Sequence, residues 1–202
     1  MEPLGQSIRV VVLGDALASQ SGDPKGIGWL GRVMARTAIE DPQVDVYPLP
    51  APNQTSASLL ERWSTEAQKR FSSDSINKLV VVLPNTDPAA GISTSRSRLN
   101  LANLLDDAKR YGISCFVIGP IPSRNPELNP EIEQLVTGFE DVCNRRGVAF
   151  ADCFTPLVGH EGWNAEMQNN LSGLPGQVGH GLIAWLVLNR GWYSWLGVAE
   201  NN

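Results

Sequence analysis

Apolar, strand-like runs recur along the chain at Ile8–Leu13, Val44–Leu49, Leu79–Leu83, Cys115–Ile118 and Ala149–Cys153. Between them lie segments whose apolar residues return at helical spacing: Ile27–Ile39, Ser56–Phe71, Thr94–Tyr111, Pro130–Arg146 and Val178–Leu196. Runs of Val, Leu and Ile without polar alternation imply strands buried on both faces, and hence a parallel sheet covered by helices on each side. With right-handed crossovers, the alternation of strand and helix predicts a five-stranded, doubly wound α/β fold. Gly112 and Gly147 fall where the third and fourth helices should end, as left-handed caps require. Ligands of such sheets bind beyond the carboxyl ends of the strands. The segments expected to carry chemistry are therefore 14–25, 50–55, 84–93, 119–129 and 155–177. The Pro- and Asn-rich stretch Pro122–Pro130 reads as a loop within the domain, not as a linker.

The 202 residues suit a single domain spanning 1–202. The net charge is −5 and the 16 Lys and Arg are scattered, so nucleic acid and anionic membrane are not expected partners. The opening lacks the apolar core of a signal peptide, and no apolar run is long enough to span a bilayer. A cytoplasmic location is expected on that basis. Cys115, Cys143 and Cys153 are odd in number and lack CxxC spacing, which predicts reduced core thiols in place of disulfides or a zinc site. No metal or cofactor is expected.

Gly26-Ile27-Gly28-Trp29-Leu30-Gly31 matches the glycine pattern of dinucleotide sites. That chemistry needs the glycines directly after a strand, where the pyrophosphate meets a helix N-terminus. Here the motif lies well past the first strand, so it reads as a glycine-assisted helix start with Trp29 packed inward. His160 and His180 are the only conventional general bases. His180, at the start of the last helix, suits capping or packing, and His160 suits an exposed loop on the functional edge. Trp185, Trp192, Tyr193 and Trp195 fit a helix covering the sheet, with a subunit interface as the lesser reading.

Four blocks give the chain a further meaning. Gly14-Asp15-Ala16-Leu17-Ala18 follows the first strand, and Pro52-Asn53-Gln54-Thr55-Ser56 follows the second. Pro84-Asn85-Thr86-Asp87 follows the third, and Leu171-Ser172-Gly173-Leu174-Pro175 leads into Gly179-His180. In order and spacing the chain resembles the SGNH/GDSL esterases and lipases over nearly its whole length. The resemblance implies a three-layer α/β/α, flavodoxin-like fold. It also implies a serine nucleophile, a histidine base oriented by aspartate, and an oxyanion hole formed by the serine N–H, a glycine N–H and an asparagine side chain.

At those positions this sequence departs from the pattern. Ala16 stands at the serine position, Asn53 at the glycine, Thr86 at the asparagine with Asn85 one residue before it, and Leu171 and Leu174 at the aspartate and histidine. Asp15 and Asp87 remain, in positions suited to capping. Five departures together predict a non-catalytic relative. Its former cleft, lined by Asp15, Ala16, Asn53, Asn85, Thr86, His160, Leu171 and Leu174, is expected to hold a small apolar or acyl ligand or a protein partner, and the chain could form a homo-oligomer. The alternative is an active esterase whose catalytic residues have moved, with Ser19 or Ser21 and one of the histidines as candidates. Nucleotide binding at Gly26–Gly31 is the third reading.

Overall fold

The computed structural model describes residues 6–37 and 41–200. Five strands form one parallel sheet: β1 (Ile8–Gly14), β2 (Val44–Pro50), β3 (Ile76–Val82), β4 (Ser114–Ile118) and β5 (Ala149–Ala151), in the order β2-β1-β3-β4-β5. β1 pairs with β2 from Ile8↔Val44 and with β3 from Ile8↔Ile76, so it is flanked on both sides from Ile8 to Leu13. The helices are α1 (Gly28–Arg36), α2 (Ser56–Ala67), α3 (Thr94–Arg110), α4 (Asn129–Asn144), α5 (Thr155–Val158), α6 (Glu161–Asn169), α7 (Gln177–Asn189) and α8 (Trp192–Leu196).

The strand residues divide by parity into two cores, as the two-residue side-chain period demands. Val10, Val12, Val80, Val82, Phe116 and Ile118 pack with Trp29, Val33, Trp163, Ile183, Val187 and Trp192 of α1, α6, α7 and α8. Val11, Leu13, Leu79, Val81 and Val117 pack with Leu59, Trp63, Leu101, Leu104, Leu135 and Phe139 of α2, α3 and α4. This is the expected three-layer α/β/α architecture, and its sheet faces are dry on both sides.

Local chemistry explains most boundaries. Thr55 and Ser58 form a reciprocal capping box at the start of α2, and the Ser93 hydroxyl caps α3. Gly112 and Gly147 have φ of +72° and +63°, the left-handed conformation expected after α3 and α4.

Several boundaries differ from expectation, among them the ends of α2, at Ala67 in place of Phe71, and of β5, at Ala151 in place of Cys153. β3 begins at Ile76, earlier than predicted, because Asn77 and Lys78 interrupt the apolar run without interrupting the pairing. The last helix is broken by Gly191 at φ +91°, which separates α7 from α8. The segment after β5 contains α5 and α6 where a continuous loop was predicted. α6 buries only Trp163 and Met167, four residues apart, a pattern too sparse to stand out. The predicted end of α1 at Ile39 lies outside the described residues.

The glycine motif at 26–31 is a helix start. α1 begins at Gly28, whose φ is +66° and where an added Cβ would lie 2.9 Å from the Gln20 Cα. Trp29 is fully buried, and its indole N–H donates to the Leu17 carbonyl at 2.7 Å. All three cysteines are free and buried, and burial pushes the Cys115 and Cys143 thiols up to about 12.

Candidate functional site

The loops at the carboxyl ends of the strands are tied to one another in a ring. At the exit of β1, the Gly14 carbonyl accepts from the Ala51 N–H at 3.1 Å and from the Arg62 guanidinium at 2.7 Å. The same guanidinium reaches the Leu49 carbonyl at 3.1 Å and the Gln54 side-chain oxygen at 2.6 Å, so one arginine of α2 sets the exits of β1 and β2 together. The loop after β2 is tied to the loop after β3, where the Ser56 N–H donates to Asp87 Oδ1 at 2.8 Å and the Thr86 hydroxyl donates to the Gln54 carbonyl. From there the Asn85 amide donates to the Ile121 carbonyl at 3.0 Å, which reaches the loop after β4. Arg124 of that loop approaches the Leu171 carbonyl at 3.4 Å. Closure comes at Gly22, where an added Cβ would stand 2.4 Å from the Pro175 carbonyl oxygen and 3.0 Å from the Leu174 Cβ.

Ala16 opens a short 3₁₀ turn, Ala16–Ala18, capped by Asp15, whose Oδ1 accepts from the Leu17 N–H at 2.9 Å. Burial raises the Asp15 carboxyl above its ordinary range, against the pull of that N–H. Asn53 has φ +53° and is the sole non-glycine residue with positive φ among those described. Of non-glycine residues, asparagine is among those that tolerate this region best. The left-handed turn thus persists without glycine, and Asn53 makes no hydrogen bond to another described residue.

The polar side chains of the third block are engaged. The Thr86 hydroxyl and the Asn85 amide both donate to backbone carbonyls of neighbouring loops. Asp87 is fully buried and accepts from the Ser56 N–H and the Ser97 hydroxyl, which makes it a structural cap. Leu171 is 84 % exposed, while Leu174 is half-buried and its carbonyl accepts from the Asn170 amide at 2.6 Å.

Neither histidine reaches these groups as a base. His180 is fully buried. Its Nδ1 accepts from the Trp29 N–H at 3.0 Å and its Nε2–H donates to the Ser21 carbonyl at 3.0 Å. Both nitrogens are occupied in the neutral form, and burial holds its pKa below the usual histidine value. His180 therefore serves as a tertiary cap of α1, beside Asp23, which accepts from the Gly28 N–H and pairs with Arg32. His160 caps α6 through Nδ1, which accepts from the Trp163 N–H at 3.2 Å. It lines a separate hollow of about 370 Å³ with Pro156, Leu157, Leu182, Trp185 and Leu186. The structure does not bring it together with Ala16, Asn53 or Thr86 by any bond.

Two organising residues were not singled out from sequence. Arg62 is one, and Glu166 is the other. The Glu166 carboxylate accepts from the N–H groups of Gly176, Val178 and Gly179 at 2.7–2.9 Å, closing the N-terminus of α7. Its signal in sequence was faint, because it lies on a helix that was itself unforeseen.

Solved structures share this architecture. The lipase/acylhydrolase from Enterococcus faecalis superposes with a TM-score of 0.73 at 19% identity, covering 96% of this chain and 98% of that one. TesA superposes with a TM-score of 0.70 at 21% identity, covering 92% and 98%. A serine-to-alanine catalytic mutant of Axe2, an acetylxylan esterase from Geobacillus stearothermophilus, superposes with a TM-score of 0.69 at 13% identity, covering 100% and 99%. At these identities the likeness is one of fold. Among curated proteins none matches the sequence. The family model for GDSL-like lipases and acylhydrolases matches residues 12–181, a span that runs from β1 into α7 and takes in every loop of the ring. The chain belongs to the GDSL-like lipase/acylhydrolase family.

Proposed function

We propose that this chain is a non-catalytic member of its family, which binds a small acyl-type ligand or a protein partner at the loop ring without hydrolysing it. The observation that carries this reading is the fate of the polar groups around Ala16. A hydrolytic centre needs a nucleophile, a base with a free lone pair and donors aimed at a developing oxyanion. Here the first position is a methyl group, and the Thr86 hydroxyl and Asn85 amide are spent on neighbouring carbonyls. Leu174 and the exposed Leu171 supply no proton acceptor. What remains for a ligand is the left-handed Asn53 turn, the Ala16 turn and apolar surface from Leu171 and Leu174.

The alternative, an esterase with relocated residues, has weaker support. Ser19 and Ser21 share a 2.8 Å hydroxyl–hydroxyl bond, and the Ser19 hydroxyl also donates to the Ala16 carbonyl at 2.8 Å. The histidine nearest to them meets the Ser21 carbonyl, not a hydroxyl.

The test combines turnover with binding. Wild-type protein is incubated with p-nitrophenyl acetate and butyrate, and amide NMR spectra are followed while ethyl butyrate is titrated. The expected outcome is no release above buffer, with shifts at Ala16, Asn53 and Leu174. Turnover that disappears in Ser21→Ala or His160→Ala would overturn the reading in favour of the alternative.

A further inference from the structure

A well-formed hollow lies at the opposite end of the strands from the loop ring. It has a volume of about 420 Å³ and sits where β4 and β5 begin, beneath the last turns of α3 and α4 and against α8. Its apolar wall comes from Leu105, Ile113, Val148 and Trp195, a combination and size typical of small-molecule sites. Trp195 is held firmly, tilted against Phe116 and Trp192 with ring centres 5.4 and 5.2 Å away.

The charges around this hollow do not cancel. Asp106 is already spanned by Arg146, with Nε to Oδ1 and Nη2 to Oδ2 both at 2.8 Å. Lys109, also in the lining, is exposed, and its side chain bonds to no described residue. Behind the Trp195 ring lies Lys78, almost fully buried, its Nζ 5.1 Å from the ring centre. Lys78 donates to the Trp195 carbonyl at 2.6 Å and pairs with no carboxylate among the described residues. The Trp195 indole N–H is itself buried and has no acceptor among the described residues. A buried donor without a partner is costly, and so is a desolvated cation. Of these groups Lys109 is the cation that stands in the lining with no bonded carboxylate among the described residues, and Asp106 beside it is already spanned by Arg146, so the hollow and its apolar wall are matched by an apolar anion.

We propose that this cavity is a second ligand site, for a small organic carboxylate with an apolar body. The chain of the ligand lies against Leu105, Ile113, Val148 and the Trp195 face, and its carboxylate pairs with the exposed Lys109 ammonium at the rim. The site is independent of the loop ring and of any reading of its chemistry.

Sodium octanoate, octylamine and 1-octanol serve as probes, titrated calorimetrically into the full chain at low ionic strength. Octanoate is expected to bind in preference to octylamine. Lys109→Gln, at an exposed position that does not threaten folding, is expected to weaken octanoate about tenfold, the ordinary loss for one hydrogen bond to a charged group. It should leave any 1-octanol binding unchanged. Ser194→Trp, which closes the mouth of the cavity, is expected to abolish the Lys109-dependent component of octanoate binding, whereas Leu174→Lys in the loop ring should leave that component intact. The proposal is overturned if octanoate fails to bind, if octylamine binds equally well, if Lys109→Gln has no effect, or if the Leu174 variant abolishes binding while the Ser194 variant does not.

Discussion

Restoring the missing hydroxyl offers the sharpest test of how this site works. In Ala16→Ser, the new side chain begins the 3₁₀ turn at a half-buried position, so the fold should accept it. The obstacle is the missing machinery. His180 has one lone pair in its neutral form, at Nδ1, and that lone pair already accepts from the Trp29 N–H. His160 likewise spends Nδ1 on the Trp163 N–H at the far hollow. A positioned general base contributes about 10²–10⁴ in rate. One oxyanion donor contributes a further ~10²–10³, and here both candidate side-chain donors are bonded elsewhere. If the two losses act independently, Ala16→Ser should stay roughly 10⁴–10⁷ below a working relative. The assay is p-nitrophenyl acetate hydrolysis by Ala16→Ser and wild type at pH 7–8, normalised to an active family member. Equal rates within error are expected. A variant rate within about a hundredfold of the active enzyme would refute the reasoning, since it would require a base and an oxyanion donor that these bonds exclude.

Four other outcomes can be measured. Thr86→Val leaves the Gln54 carbonyl without its donor and should cost about 1–3 kcal/mol in urea unfolding. Asn53→Val places a β-branched residue at φ +53° and should destabilise by roughly 1–2 kcal/mol, while Asn53→Gly should be neutral or stabilising. Burial lowers the His180 pKa, so the unfolded chain takes up this proton first as pH falls. The histidine's contribution to stability is complete above its ordinary value of 6.5 and is lost as pH drops from there through the depressed folded value, a slope that His180→Gln should flatten in a series of thermal melts. For Asp23, burial pushes the carboxyl up, but Arg32 and the Lys25 and Gly28 N–H groups outweigh it and hold the carboxyl well below the carboxylate range. Its contribution is therefore complete well above the ordinary value of 3.8 and is lost progressively as pH falls from there through the depressed folded value. Asp23→Asn should cost roughly 2–3 kcal/mol at neutral pH by the same melts.

What could be read from sequence depended on how local the determinant was. The sheet was legible because Val10–Leu13 and Leu79–Leu83 are unbroken apolar runs, a signal that survives any tertiary context. The helix ends at Gly112 and Gly147 were legible for the same reason, since a left-handed cap is a property of one residue. The segments 14–25, 50–55, 84–93, 119–129 and 155–177 do follow the carboxyl ends of the strands, although the last of them holds two helices and is not a continuous loop. Side-chain engagement was not legible. Nothing in Asn85-Thr86 announces that both side chains bond to carbonyls 36 and 32 residues away in the chain, and His180 owes its role to Trp29, 151 residues distant. α6 was missed because two buried residues in nine leave little periodicity to detect. The single helix expected across 178–196 failed at Gly191, where positive φ outweighed an apolar pattern continuing on both sides.

The ring of loop-to-loop bonds has a consequence for how such a protein ages in evolution. Enzymes hold reactive groups in readiness, with hydroxyls uncommitted, lone pairs free and donors facing space, and that readiness weakens the native state. In this chain the same corner of the fold has its hydroxyl and amide committed and its histidine closed at both nitrogens. On the non-catalytic reading proposed above, these groups serve the fold alone, as mortar between loops. If that reading holds, such a chain should outlast hydrolytic relatives on heating, and each further substitution it accepts will be filtered by folding instead of by chemistry. On that reading, every bond this corner closes makes a return to catalysis harder.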